Sequence, residues 1–119
     1  MLNAAGLIMA TDGSVREDGA MGAAMVCLGI QVPSRRVAVS GPPSSPRAEL
    51  TGILLALEEP EESVDATILT DSLVSIQWTI TAKRLDWPLW LRGIAERQLL
   101  HAVIDKLNGR SPRGLRAQE

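Results

Sequence analysis

Leu7-Ile8-Met9-Ala10-Thr11-Asp12-Gly13-Ser14 is an apolar run of strand length that ends in small and polar residues. Periodicity alone does not separate so short a run from a buried helix, but the Gly-Ser ending favours a strand. A similar segment follows at Ala66-Thr67-Ile68-Leu69-Thr70-Asp71-Ser72. Parallel neighbouring strands lie about 4.8 Å apart, so pairing of the two segments would bring Asp12 and Asp71 side by side. Open α/β sheets carry their ligand sites at the carboxyl ends of strands, and we expect a site there.

Composition and charge limit the class of protein. The 119 residues fit one domain, residues 1–119, with its core over about residues 6–108. The net charge of −2 gives no overall basic field, so a polyanionic partner must be bound by a local patch or through metal ions. A single cysteine, Cys27, excludes an internal disulfide and favours a reducing compartment.

Targeting and membrane signals are absent from the sequence as given. The first residues lack a basic region followed by a long apolar region, so no signal peptide is expected. No apolar run reaches the length of a membrane span. The sequence therefore predicts an intracellular protein, cytoplasmic or nuclear, without a membrane partner.

The first part of the chain predicts an antiparallel meander. Its first strand ends near Asp12, and residues 13–22 form a turn rich in glycine and charge. Residues 23–30 form a buried second strand, and residues 35–40 a short edge strand whose basic start faces water.

The rest of the chain is predicted to contain three helices and a fourth strand. Ser45 is the expected N-cap of the first helix, with Pro46 at its first position. After the strand that ends at Asp71, helices are expected over residues 72–81 and about 90–107. The last 11 residues, 109–119, are expected to be a flexible tail. The two longer helices carry apolar stripes, Leu50, Ile53, Leu54 and Leu57 in the first and Leu100, Val103, Ile104 and Leu107 in the last.

Three carboxylates are the candidates for chemistry. Asp12 and Asp71 end neighbouring strands, and Glu49 lies in the first turn of the first helix. Two unit charges about 4 Å apart repel by about 4 kcal/mol at an effective dielectric constant of 20. Three such groups would raise one another's pKa unless a cation binds them. Oxygen ligands of this kind suit Mg²⁺ or Mn²⁺. Each acid taken alone also has a structural explanation, since Asp12 and Asp71 end strands and Glu49 favours a helix N-terminus.

The three segments around these acids resemble the ribonuclease H family, in the version found in retroelements and fungal proteins. The matching motifs are Thr11-Asp12-Gly13-Ser14, Arg47-Ala48-Glu49-Leu50 and Thr70-Asp71-Ser72, in that order. The resemblance implies an RNase H-like α/β fold, a mixed sheet of three antiparallel strands and a parallel fourth packed with helices. It also implies an endonuclease that hydrolyses the RNA strand of RNA–DNA hybrids by a two-metal mechanism. Asp12 would then bridge both ions, and Glu49 and Asp71 would each hold one.

The same resemblance implies elements that this sequence does not match. The family continues with a fifth strand, a histidine-bearing loop and a last helix that carries a fourth carboxylate, so the domain is expected to be C-terminally truncated. Without a fifth strand, residues 66–71 would form an exposed edge, and a homodimer through that edge or through the uncovered sheet face is expected. The alternative function is a catalytically silent RNase H-like module that binds nucleic acid or a protein partner.

Substrate contacts are expected around the acids. Gly13, Ser14 and Ser72 border them, although ordinary turn roles explain these residues equally well. Ser45 stands where many family members carry Asn or Gln to contact the hybrid. Other residues have two interpretations each, a structural role or contact with bases and phosphates, namely Trp78, Trp87, Trp90, Lys83 and Arg84. His101 and Cys27 are expected to be structural.

Overall fold

A mixed β-sheet and three α-helices make up the part of the chain that the computed structural model describes, namely residues 7–28, 34–59, 66–84, 93–108 and 115–118. The strands are β1 Leu7–Val15, β2 Met21–Leu28, β3 Arg35–Val39, β4 Ala66–Leu69 and β5 Leu115–Gln118. The helices are α1 Ser45–Glu58, α2 Leu73–Arg84 and α3 Arg97–Asn108.

The sheet has the strand order β3-β2-β1-β4-β5. β1 pairs antiparallel with β2, and β2 pairs antiparallel with β3. β1 pairs parallel with β4 through a register that ends at Ala10 and Leu69. The α/β class, the meander and the parallel pairing of the first and fourth strands are thus as the sequence predicted.

Side chains alternate between the two faces of the sheet, as a pleated strand requires. In β1 and β2 the buried side chains have odd numbers, including Met9 and Met25, which pack with Leu50 of α1 and Ile68 of β4. Leu100 and Val103 of α3 complete this core, so the predicted apolar stripes of the first and last helices are confirmed. The even-numbered side chains lie on the opposite face, where three large apolar residues are exposed, Ile8, Val26 and Leu28.

β1 is longer than predicted. The Thr-Asp-Gly-Ser segment was expected to end the strand, but it remains paired with β2, from Thr11 opposite Met25 to Val15 opposite Met21. The β1–β2 turn is correspondingly short, and Gly19 adopts a positive φ of 88° in it. Asp12 therefore lies inside a strand, and pairing with β2 on both sides of it fixes its backbone.

The fourth strand is not unpaired, and residues 115–118 of the expected flexible tail form a strand, while residues 109–114 and 119 lie outside the described residues. β5 pairs parallel with β4 over four positions, from Leu115 opposite Ala66 to Gln118 opposite Leu69. This pairing hydrogen-bonds backbone groups that would otherwise be exposed at a sheet edge. A dimer through the β4 edge therefore loses its basis, and self-association through the open sheet face stays a prediction.

The helix boundaries also differ from those predicted. Ser44, with extended φ and ψ, is the N-cap of α1, and its hydroxyl oxygen accepts a hydrogen bond from the Arg47 N–H at 3.2 Å. α2 runs to Arg84, so Lys83 and Arg84 end this helix and do not begin the next one. α3 begins at Arg97 after a turn over residues 93–96, seven residues later than expected. No helix in these described ranges is both long and apolar enough to cross a membrane.

Candidate metal centre

Three side chains converge just beyond the point where the pairing of β1 with β4 ends, at Ala10 and Leu69. Asp12 lies on β1, Asp71 follows β4 by two residues, and Glu49 lies on α1. Each offers one carboxylate oxygen, and these oxygens all lie within 4.8 Å of one another. We call Asp12, Glu49 and Asp71 the carboxylate cluster. Its convergence is as the sequence predicted, whereas the catalytic and metal-binding roles stay predictions.

Close contact between α1 and β1 sets the position of Glu49. A Cβ on Gly13 would lie 2.5 Å from both the carbonyl carbon of Ala48 and the amide nitrogen of Glu49. A Cβ on Gly52, one turn further along α1, would lie 3.2 Å from the carbonyl oxygen of Asp12. The helix therefore crosses β1 at backbone contact, and glycine at position 13 allows this approach. Gly52 was not singled out by sequence, since only the crossing of the two elements gives it a role.

Glu49 is the buried member of the cluster. It is 9% exposed, whereas Asp12 and Asp71 are exposed. Burial and, after it, the negative charge of Asp71 raise the pKa of Glu49 to about 7, with a further contribution from Asp12. The Gly13 N–H donates a hydrogen bond to the Glu49 carboxylate and opposes this shift in pKa. A carboxyl group with such a pKa is partly protonated near neutral pH when no cation is bound.

One oxygen of this carboxyl group lacks a partner. Glu49 Oε1 is buried and accepts no hydrogen bond within the described part of the chain. Leaving a buried acceptor unsatisfied is unfavourable by about 1–3 kcal/mol. A divalent cation shared with Asp12 and Asp71 would satisfy this atom and cancel the repulsion within the cluster. The donor set, three carboxylates with one orphaned buried oxygen, therefore fits a hard cation such as Mg²⁺ or Mn²⁺.

A hydrogen-bonded turn fixes the backbone around Asp71. The Ser72 N–H donates to Thr70 Oγ1 at 3.1 Å, and the Leu73 N–H donates to the Asp71 carbonyl at 3.1 Å. The Ser72 hydroxyl donates to Ser75 Oγ at 2.7 Å and accepts from the Ser75 N–H at 3.3 Å, which caps α2. Sequence analysis included Thr70 only as part of the Thr70-Asp71-Ser72 motif and did not single out Ser75, although both are buried and their hydrogen bonds are local to this turn.

Beside the cluster lies an open groove with a volume of about 320 Å³. Ser45 and Ser72, two of the predicted substrate-binding residues, line it together with Glu49 and Asp71. Of the other two, Ser14 is exposed on β1, and Gly13 lies against the backbone of α1. Substrate contact by these four residues stays a prediction.

Arg47, the nearest cation in sequence, is engaged elsewhere. Its Nη2 lies 4.0 Å from Oε2 of Glu96, which is 8% exposed in the turn before α3. This pair ties the first turn of α1 to the start of α3. Sequence analysis did not single out Glu96, because its structural role depends on the tertiary contact with Arg47.

The remaining candidates have structural positions or fall outside the described ranges. Trp78 is partly buried and packs against the core, and Cys27 is a core residue. His101 is exposed on α3. Trp87 and Trp90 lie outside the described residues, as do the side chains of Lys83 and Arg84.

Comparison with known proteins adds no relative. No protein-family model matches the chain, and no curated protein matches its sequence.

Proposed function

We propose that this chain is a divalent-metal-dependent endonuclease of the ribonuclease H type, which hydrolyses the RNA strand of RNA–DNA hybrids. The main support is the convergence of Asp12, Glu49 and Asp71 from three separate segments, with a buried carboxylate oxygen left without a partner. The three motifs that carry the family resemblance are the segments that supply these side chains.

Asp12, Glu49 and Asp71 would hold Mg²⁺ or Mn²⁺. A bound ion of this kind supplies activation of a water nucleophile and stabilisation of the leaving oxygen. Glu49 must lose its proton for the full charge of the cluster to become available to a cation. The hydrogen bond from the Gly13 N–H holds the Glu49 carboxylate in place while this occurs, and the turn at Ser72 holds Asp71.

Cleavage of a labelled RNA–DNA hybrid in Mg²⁺ or Mn²⁺, with EDTA as the metal-free control, tests the proposal. We expect the RNA strand to be shortened while its DNA partner and a DNA duplex of the same sequence stay intact. Asp12→Asn and Asp71→Asn should each lower the rate about 100-fold or more, because loss of even an outer partner of a metal ligand lowers activity about 10–100-fold.

Asp105→Asn is the matched control, since Asp105 is an exposed carboxylate on α3 and lies outside the cluster. It should cleave at the wild-type rate. Undiminished cleavage by both cluster variants would point to another site or a contaminating nuclease. A wild-type chain that cleaves no hybrid in either metal would leave the non-catalytic module, which binds nucleic acid or protein, as the function.

A further inference from the structure

A second groove lies on the sheet face that the helices do not cover. It is open and has a volume of about 340 Å³, and its lining includes Ala10, Asp12, Ala24 and Arg36. We call it the sheet-face groove. Asp12 also belongs to the carboxylate cluster, so the groove and the candidate metal centre share this residue.

Strand register places a cation in line with Asp12 across this groove. Asp12 is opposite Ala24 on β2, and Ala24 is opposite Arg36 on β3. Neighbouring strands lie about 4.8 Å apart, so the Cα atoms of Asp12 and Arg36 are about 10 Å apart. The residue between them is alanine, whose small side chain leaves the floor of the groove open.

Arg36 differs from its neighbour Arg35 in what it binds. Arg35 also borders the groove, but its guanidinium pairs with Glu58 at the end of α1, with Nη1 3.3 Å from Oε1. Arg36 is exposed, lines the groove, and has no ion-pair partner in the described part of the chain. It therefore offers a guanidinium to an anion in the groove without breaking a contact of the fold.

We propose that the sheet-face groove binds the backbone of a nucleic-acid strand, with one phosphate at the carboxylate cluster and a second on Arg36. The phosphates of one strand of a duplex are closely spaced, about 3.4 Å apart along the duplex axis, so a span of about 10 Å can reach two phosphates of the same strand. Guanidinium groups bind phosphate oxygens through paired N–H donors. The first phosphate contact rests on the proposed metal-dependent function, whereas the Arg36 contact requires only that nucleic acid binds.

Salt dependence of binding separates this contact from general charge attraction. We expect Arg36→Gln to weaken binding of a short, fluorescently labelled RNA–DNA hybrid several-fold, and to lower the slope of log K against log salt by about 0.9, the value of one phosphate contact. Lys106→Gln removes the same charge from an exposed position on α3, away from the groove, and should leave the slope unchanged. Both variants should keep the increase in melting temperature that Mn²⁺ gives the wild type, which verifies the fold and the cluster.

A steric variant tests the groove without changing its charge. Ala24→Leu fills the floor between Asp12 and Arg36, and we expect it to weaken hybrid binding about as much as Arg36→Gln. Ala38→Leu is its control, because Ala38 is exposed on the same face but is not part of the groove lining. It should bind the hybrid as the wild type does.

Failure of this inference is distinguishable from failure of the proposed nuclease. If the wild type cleaves hybrids while Arg36→Gln and Lys106→Gln show equal slopes, the groove inference is wrong and the nuclease stands. If Arg36→Gln lowers the salt slope of hybrid binding as expected but the wild type never cleaves the hybrid, the groove inference is supported and the proposed nuclease is wrong. Absence of hybrid binding at low salt overturns the groove. So does light scattering that shows a wild-type dimer and an Ala24→Leu monomer, since a second copy of the chain would then occupy this face.

Discussion

At Glu49, burial and two neighbouring carboxylates make ionisation unfavourable, and this links stability to pH. The pKa of this group rises from 4.5 to about 7 on folding, so between these values the native state holds a proton that the unfolded state has lost. The free energy of unfolding should therefore fall as pH rises from about 4.5 to about 7 and then level off. One unit of pKa is equivalent to about 1.4 kcal/mol, so the whole fall is a few kcal/mol at most.

Metal binding should reverse this penalty. A cation needs the deprotonated carboxylate, so the increase in melting temperature caused by Mn²⁺ should be larger at pH 8 than at pH 6. Glu49→Gln cannot ionise, so it should lose both the Mn²⁺ effect and the fall in metal-free stability. Thermal denaturation with and without Mn²⁺ across this pH range measures both effects. A wild-type response to Mn²⁺ that is the same at both pH values would contradict the role given to Glu49.

Gly13 should not tolerate even a small side chain, because α1 crosses β1 at backbone contact there. The methyl group of Gly13→Ala would lie 2.5 Å from the backbone of Ala48 and Glu49, so α1 must move away from β1. We expect a loss of about 1–3 kcal/mol in unfolding free energy, measured by urea denaturation, together with weaker Mn²⁺ binding. Gly22→Ala is the control, because its Cβ would lie 3.6 Å or more from other side chains and backbone. A similar loss in both variants would show a general effect of removing glycine from strands.

At the residue scale, prediction from sequence succeeded for side chains that belong to a recognisable motif. It failed for contacts between segments that are distant in sequence. The three acids follow apolar-Thr-Asp and Arg-Ala-Glu patterns. Parallel pairing of two strands is enough to bring Asp12 and Asp71 together, whereas Glu49 reaches them through the crossing of α1 over β1. The contact of Gly13 with α1 depends on how closely that helix crosses the sheet, which no local pattern contains. The Arg47–Glu96 pair likewise joins α1 to the turn before α3, two segments that are far apart in sequence.

At the scale of the element, two adjacent serines at the start of α1 have different roles. Ser44 caps the helix through its hydroxyl oxygen, whereas Ser45 is exposed as the first helical residue. Ser44→Ala should therefore lower the free energy of unfolding by about 1 kcal/mol, and Ser45→Ala should leave it nearly unchanged. Chemical denaturation of the two variants measures the difference. A larger loss for Ser45→Ala would restore the capping role that the sequence alone suggested.

β5 shows why one element escaped prediction while four strands did not. The first four strands contain apolar runs, and those of β1 and β4 each lead into a similar Thr-Asp segment, which indicated that the two strands are neighbours. Leu115–Gln118 has four residues, two of them polar, after a segment that contains Pro and Gly. Such a strand forms because the edge of β4 offers unpaired hydrogen-bonding groups, not because its own residues favour a strand.

At the scale of the whole molecule, the negative charge of the protein opposes binding of the proposed nucleic-acid substrate. The net charge is −2, and two exposed carboxylates with a third behind them stand where a phosphate must approach. Opposing this field are single cations such as Arg36, so binding of nucleic acid must depend strongly on the divalent ion. In the proposed function, metal ions would then increase the affinity for nucleic acid as well as take part in hydrolysis.

Removal of one acid should consequently have opposite effects with and without metal. In EDTA, Asp12→Asn lowers the negative charge of the cluster, so we expect it to bind a labelled RNA–DNA hybrid more tightly than the wild type, since like charges repel by about 1 kcal/mol or more at contact distances. In Mn²⁺ the order should reverse, because the wild type gains affinity through the ion and the variant has lost a ligand. Fluorescence anisotropy under both conditions measures the crossing, with Asp105→Asn as the control of equal charge. If Asp12→Asn and Asp105→Asn bind the hybrid equally under both conditions, the carboxylate cluster does not face the bound nucleic acid.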